Sequence, residues 1–148
     1  SPLHELWTGQ FNPVLGEVDE LDDTNVTKVV LCSGKVYYDL LQKRRDDELK
    51  HAAIIRIEQL YPFPKQDLKQ ELAKYPNAKN IVWCQEEPSN MGAWHFLDRK
   101  IEEVLCALKF KYARPSYVGR PASASPATGF YQEHMEEQKK LVLEALSK

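Results

Sequence analysis

Short apolar runs rich in β-branched residues alternate along this chain with stretches of helical periodicity. The runs at residues 29–32, 53–57 and 81–84 predict strands, and a weaker run predicts a fourth strand at residues 112–119, centred on 116–119. We interpret the run at 81–84 as the central strand, buried on both faces, because it is uninterrupted and the breaker Pro88 follows it. Such a strand is typical of a parallel sheet covered by helices.

Between these runs, apolar residues recur at steps of three and four, which predicts helices with one buried and one solvated face. The clearest helix follows Asn90, and the last is predicted over residues 130–147. Elements that alternate at this spacing predict an α/β three-layer sandwich, a mostly parallel sheet of about five strands with helices on both faces. The inward positions predicted are Tyr37, Leu40, Leu41, Leu68, Leu72, Tyr75, Trp94, Leu97, Ile101, Val104, Leu108, Met135, Val142, Ala145 and Leu146.

The first 25 residues show no sustained periodicity. They combine prolines and glycines with an acidic group between Glu17 and Asp23, so we interpret residues 1–25 as a linker segment that lies across another part of the fold. Residues 26–148 are then expected to form one α/β domain. The length of 148 residues suits a single domain with a full hydrophobic core.

Composition narrows the class of protein. A net charge of -2 and the lack of a long basic run argue against nucleic-acid or anionic-membrane partners. No apolar segment has the length of a membrane span and no signal peptide is visible, so we expect a soluble, cytoplasmic protein. Cys32, Cys84 and Cys106 lie in apolar patterns and predict buried, reduced thiols, and the four histidines lack the spacing of zinc ligands.

Acidic residues follow the strand predicted as central, where ligands gather in open parallel sheets. Glu86 and Glu87 are adjacent, so on a strand they point to opposite faces and do not form a catalytic dyad. One of them could act as a general acid or base with His95. The interpretation we prefer is a favourable negative charge at the start of the next helix, or an ion pair between domains.

A loop of small residues is predicted between the fourth strand and the last helix, and it is the best candidate for a binding site. Arg120 supplies a planar cation, Ser123, Ser125 and Thr128 supply hydroxyl groups, and a helix begins after them. These are the components of a phosphate or carboxylate site, and Lys35 could extend its positive rim. The alternative is that Ser125 or Thr128 caps the helix and Arg120 pairs with a local carboxylate.

Four motifs and a shorter one carry a resemblance to a known family. They are CSGKVYYDL at 32–40, RIEQLYPFP at 56–64, WCQEEP at 83–88, GRPASASPA at 119–127, and PVLGE at 13–17. In this order they closely resemble the carboxyl-terminal domain of the E1 component of the 2-oxoglutarate dehydrogenase complex, in its bacterial form. The resemblance spans nearly the whole chain.

The resemblance implies a transketolase-type third domain, which supports homodimer assembly and does not supply the thiamine chemistry. The family's Gly-Asp-Gly motif with later paired asparagines is absent from this sequence, so no catalytic, cofactor or metal residue can be assigned and no turnover is expected from this chain alone. The parent enzyme, in the tricarboxylic acid cycle, would decarboxylate 2-oxoglutarate on thiamine diphosphate with magnesium. It would then pass the succinyl group to the lipoyl group of E2.

The partners implied by the resemblance are the upstream E1 domains, a second E1 subunit and the E2 succinyltransferase. Some family members carry an allosteric site for acetyl-CoA or AMP that involves this domain, which fits an anion site at Arg120. A self-sufficient nucleotide- or anion-binding module and an assembly element therefore remain two open hypotheses. The sequence does not rank regulation against assembly.

Overall fold

The computed structural model of this chain describes residues 12–111, 113–120 and 131–148, with side chains from residue 134 onward in the last range. Each predicted strand and helix is present. In chain order the elements are β1 (Val14–Leu15), a 3₁₀ turn (Asp23–Asn25), β2 (Lys28–Cys32), α1 (Val36–Asp46), β3 (Ala52–Ile57), α2 (Lys65–Leu72), β4 (Asn80–Pro88), α3 (Trp94–Ala107), β5 (Ser116–Arg120) and α4 (Tyr131–Leu146). No helix in the described ranges combines the length and apolar character needed to cross a membrane.

The five strands form one sheet in the order β1-β3-β2-β4-β5. All neighbouring strands are parallel except β1, which pairs antiparallel with β3 at the edge. The interpretation of residues 81–84 as the central strand is wrong, because β2 occupies the middle and β4 lies between β2 and β5. A continuous apolar run indicates that both faces of a strand are covered. Because β2 and β4 are both covered in this way, the run could not identify which of them is central.

Helices cover both faces of the sheet, which confirms the three-layer α/β sandwich. Successive residues of a strand point to opposite faces, so Val29 and Leu31 of β2 lie in one core while Val30 and Cys32 lie in the other. The first core is covered by α2 and α3, and the second by α1 and α4. The apolar stripes read from the sequence therefore belong to two separate hydrophobic cores.

The connections that follow β2 and β4 run to opposite faces of the sheet. α1 follows β2 and lies on one face, whereas α3 follows β4 and lies on the other. The carboxyl ends of β2 and β4 are neighbours, with Cys32 paired to Cys84. Adjacent strands whose connections diverge define a topological switch point, the usual place for ligands in an open α/β sheet.

Part of the predicted linker segment is built into the fold. It contributes β1, and beyond β1 it is held by Arg44 of α1, whose buried guanidinium binds the carboxylates of Glu17 and Asp19 and the carbonyl oxygen of Ala52. Oε1 of Glu17 also accepts a 2.8 Å hydrogen bond from the backbone N–H of Ile54 in β3. The carboxylates of Glu17 and Asp19 thus hold this segment to α1, and that of Glu17 is buried.

Two predicted buried positions are wrong. Met135 is 40% exposed and lines an open groove of about 540 Å³ between α4 and α1, although it lies seven residues before the buried Val142 on the same helical face. Cys106 is also exposed. It follows the buried Leu105, and one residue turns a helix by about 100° toward the solvated face. Cys32 and Cys84 are buried as predicted.

Candidate functional site at the carboxyl edge of the sheet

Arg120 ends β5 and its side chain is buried against α4. Its Nη2 lies 2.8 Å from Nδ1 of His134, and its Nε lies 3.1 Å from Oε2 of Glu137. A guanidinium group only donates, so Nδ1 of His134 is the acceptor and the ring proton lies on Nε2. The Nε–H of Arg120 makes no hydrogen bond of good geometry to the described residues, and its contact with Glu137 is an ion pair. Arg120 therefore has the local carboxylate partner that we gave as the alternative to ligand binding.

Of the other residues predicted for the anion site, only Lys35 lies in the part of the chain that the structure describes. Ser123, Ser125 and Thr128 lie outside the described residues. Lys35 is exposed and directly precedes α1, after the carboxyl end of β2. Lys35 and Arg120 both lie at the carboxyl ends of their strands, β2 and β5, but β4 lies between these strands. Strands in a sheet are spaced about 4.8 Å apart, so a ligand would need to span β4 to contact both.

Glu86 is anchored between two helices on one face of the sheet. Nε2 of Gln138 in α4 donates hydrogen bonds of 2.8 Å to Oε1 of Glu86 and of 2.8 Å to Oδ2 of Asp39 in α1. His95 is exposed in α3, which covers the opposite face. The structure therefore does not bring Glu86 and His95 together as an acid–base pair.

The thiols at the switch point are unsuited to nucleophilic chemistry. Burial is the largest cause of the raised pKa of Cys32. Burial, together with the negative charge of Glu86, raises the pKa of Cys84 to about 12. A thiol reacts as its thiolate, and a raised pKa removes the thiolate at neutral pH. In the described part of the chain, no group of three or more His, Cys, Asp and Glu side chains is arranged to hold a metal ion.

Gln85 organises the end of β4, and sequence reasoning missed it. Its side chain is 3% exposed, and its Oε1 accepts a 2.8 Å hydrogen bond from Nε1 of Trp83. Its Nε2 lies 3.1, 3.0 and 2.8 Å from the carbonyl oxygens of Glu87, Pro88 and Met91. The available signal was a glutamine that directly follows an apolar run, since a buried polar side chain requires hydrogen-bond partners.

Four aromatic and apolar side chains, two exposed and two half-buried, lie near the ends of β3 and β4. Tyr61 is 71% exposed, and its ring centroid lies 4.2 Å from that of Phe96. Met91 is also exposed, and the ring of Trp94 lies 5.5 Å from that of Tyr117. We call Tyr61, Met91, Trp94 and Phe96 the carboxyl-edge surface. Large exposed side chains of this kind commonly mark contact sites for other protein surfaces.

Tyr117 fixes the backbone beside this surface. Its hydroxyl group donates a 2.7 Å hydrogen bond to the carbonyl oxygen of Arg120 and lies 3.2 Å from that of Glu87. Burial raises the pKa of Tyr117. A Cβ atom at Gly119 would lie 2.5 Å from the Tyr117 hydroxyl oxygen and 2.7 Å from the carbonyl oxygen of Gln85, so this arrangement requires glycine at 119. The ends of β4 and β5 are therefore tied together.

The fold is that of transketolase-type α/β domains. A solved structure described as a split-gene transketolase, an inactive β4 tetramer, superposes with a TM-score of 0.58 at 18% sequence identity, over 93% of this chain and 44% of that chain. The family model for the 2-oxoglutarate dehydrogenase C-terminal region matches residues 1–146. The chain belongs to this family, which confirms the resemblance found in the sequence.

Curated relatives are bacterial proteins named 2-oxoglutarate dehydrogenase E1 component. That of Haemophilus influenzae is 53% identical over 148 residues, which cover 99% of this chain and 15% of that protein. That of Cupriavidus necator is 49% identical, with 100% and 15% covered, and that of Azotobacter vinelandii is 50% identical, with 99% and 16% covered. This chain therefore spans about 15% of the length of these relatives.

Proposed function

We propose that this chain acts as the C-terminal assembly domain of a cytoplasmic 2-oxoglutarate dehydrogenase E1 component. The parent enzyme decarboxylates 2-oxoglutarate with thiamine diphosphate and magnesium, which other E1 domains bind, and transfers the succinyl group to the lipoyl group of E2. This chain alone has no turnover. The observation that carries the proposal is the carboxyl-edge surface, which lies beside the point where the preceding chain joins the sheet.

The start of β1 lies close to this surface in the chain's fold, which supports the proposal. The carbonyl oxygen of Pro13 accepts hydrogen bonds of 2.8 and 3.3 Å from the backbone N–H groups of Glu58 and Gln59. These residues follow β3 directly and lead into Tyr61. Because most of the length of the relatives lies outside this chain, the remaining E1 domains are the partner that the carboxyl-edge surface fits best. The second E1 subunit extends the same assembly.

Replacing Tyr61 tests this role in an E1 protein that contains this chain. Tyr61→Ser removes an aromatic side chain of the kind that dominates interface energies. We expect release of the domain by limited proteolysis to become about tenfold faster, together with a weaker subunit association measured by sedimentation. Leu143→Ser is the matched control, since Leu143 is 53% exposed but lies on α4, which covers the opposite face of the sheet from α3 and Phe96. Equal release from wild type and both variants would contradict the proposal.

A regulatory anion site is the second candidate, and the buried guanidinium of Arg120 favours it. The only carboxylate with a described ion pair to this cation belongs to Glu137, which is exposed, so a phosphate group could replace it. In this proposal AMP or acetyl-CoA binds Arg120 with the hydroxyl groups of Ser123, Ser125 and Thr128, and Lys35 contributes to the positive rim. A self-sufficient binding module predicts that the isolated chain binds the nucleotide without other E1 domains.

Isothermal titration with AMP and with acetyl-CoA distinguishes these possibilities. Binding to E1 that is lost in Arg120→Ala supports the site, and the same binding to the isolated chain supports a self-sufficient module. Arg114→Ala is the matched control. Arg114 also pairs with carboxylates, those of Asp98 and Glu102, but it lies before the amino end of β5, whereas Arg120 lies at the carboxyl end. Unchanged nucleotide affinity in Arg120→Ala would exclude Arg120 from the site.

A further inference from the structure

The segment at residues 86–92, which is the end of β4 and the first part of the connection to α3, is folded around the side chain of Gln85, and we call it the loop. The backbone turns after Pro88, where the N–H of Met91 donates a 2.8 Å hydrogen bond to the carbonyl oxygen of Pro88. Three carbonyl oxygens of the loop converge on Nε2 of Gln85, at 2.8 to 3.1 Å. The register between β4 and β5 is irregular from Cys84 to Pro88, so the loop is not held by regular strand pairing alone.

A glutamine side chain suits this point because it both donates and accepts hydrogen bonds. Its amide nitrogen has two hydrogens to share among three carbonyl oxygens, while its amide oxygen accepts from Trp83. An ionised glutamate has no donor, asparagine is shorter by one methylene group, and methionine has neither the donor nor the amide oxygen. Gly92 also packs closely against this amide. Its φ is 70°, and a Cβ there would lie 3.1 Å from Oε1 of Gln85.

We propose that Gln85 is a positioning residue, which fixes the loop at residues 86–92 so that Met91 and Trp94 form part of the carboxyl-edge surface. This inference rests on the proposed function, because it identifies the residue that shapes the surface on which the other E1 domains dock. Gln85 itself is buried and does not touch the partner. It acts through the carbonyl groups of Glu87, Pro88 and Met91.

Gln85→Met tests the inference, since methionine has a similar length and no donor. In E1 we expect domain release to become about tenfold faster, because the carbonyl oxygens of Glu87, Pro88 and Met91 each lose a hydrogen bond. In the isolated chain we expect amide hydrogen exchange at Met91 to become at least about tenfold faster. Gln42→Met is the matched control, because Gln42 is an exposed glutamine of α1 whose amide donates to the side chain of Asp46.

A second variant separates positioning from general loss of stability. Met91→Ser leaves the Gln85 side chain in place and removes one of the two surface side chains that it positions. We expect Met91→Ser to accelerate domain release without a change in melting temperature, and the double variant Gln85→Met/Met91→Ser to be no faster than Gln85→Met alone. Additive effects would overturn the inference, since they would show that Gln85 and Met91 act independently.

The two proposals fail in different ways. If Tyr61→Ser accelerates domain release while Gln85→Met changes neither release nor exchange at Met91, the positioning role is wrong and the docking surface stands. If Gln85→Met lowers only the melting temperature, Gln85 is structural and the inference is wrong. If neither Tyr61→Ser nor Met91→Ser affects release, the docking function fails, and with it the role of Gln85 in docking.

Discussion

Nη2 of Arg44 lies 2.8 Å from Oδ2 of Asp19, so a buried cation of α1 holds the N-terminal segment against the sheet. Arg45 binds the same carboxylate through Nε and Nη2, at 2.9 and 2.6 Å. The hydrogen bond from Arg45, with a further contribution from Arg44, lowers the pKa of Asp19 from 3.8 to about 2. The segment is thus attached through charge as well as through β1.

The lowered pKa predicts acid sensitivity. The stabilising effect of ionised Asp19 is fully present above pH 3.8 and is lost as the pH falls through about 2, because the folded state then has to be protonated at this group. Asp19→Asn should reduce the free energy of unfolding at pH 7 by about 0.5–1 kcal/mol and flatten its slope between these pH values. Urea unfolding across pH 2–5 measures this. Asp47→Asn, which removes the partner of Lys43 at the end of α1, is the control for loss of a surface ion pair.

Arg44 is predicted to be the most sensitive charged residue. Arg44→Met leaves the buried carboxylate of Glu17 without its cation, and breaking a buried ion pair on one side costs about 3–5 kcal/mol. The double variant Arg44→Met/Glu17→Met should recover a large part of this loss, because no unpaired charge remains. Chemical denaturation of both variants tests the prediction. A single variant as stable as wild type would show that water or another cation reaches Glu17.

The cysteines should differ in reactivity. Cys106 is exposed, whereas burial raises the pKa of the thiols of Cys32 and Cys84. At pH 8 a chromogenic disulfide reagent should modify Cys106 quickly, and should modify the other two at least about a hundredfold more slowly until the chain is denatured. Cys106→Ser should abolish the fast phase. A fast phase that persists in this variant would mean that one of the strand thiols becomes exposed.

Lys28 is predicted to secure the end of α4. Its Nζ lies 2.8 Å from the carbonyl oxygen of Ser147 and 3.3 Å from that of Glu144, so it satisfies terminal carbonyl groups of the helix. Lys28→Met should cost about 1–3 kcal/mol of unfolding free energy and accelerate amide exchange in the last turn. Lys43→Met, at an exposed lysine, is the control. Unchanged exchange at residues 144–147 in Lys28→Met would contradict the prediction.

The sequence was sufficient for the layers of the fold but not for the order of its strands. Apolar continuity at 29–32 and 81–84 identifies strands with both faces covered, and helical spacing identifies which side of α3 is buried. The positions of β1 and β2 depend instead on pairings between distant residues, such as Val14 with Ile57. A local pattern carries no information about these pairings.

The candidate site was likewise predictable only in part. Arg120 was identified from its loop, but its pairing with Glu137 arises because β5 and α4 bring together residues that are 17 positions apart. Gln85 was overlooked because its function depends on three backbone carbonyl groups, and backbone groups are invisible in a residue pattern. Met135 was assigned to the core since helical periodicity gives a direction and does not give the distance to the neighbouring helix.

The ion pair between Glu17 and Arg44 also takes the place of a strand. β1 covers β3 only opposite Ile57 and Arg56, and further along the edge the N–H of Ile54 is bound by Glu17 and the carbonyl oxygen of Ala52 by Arg44. Uncovered edges invite pairing with other chains and aggregation, whereas charged side chains prevent it. Loss of this ion pair would therefore leave β3 open to strand addition by a second molecule. The pair thus protects the folded chain from aggregation through this edge.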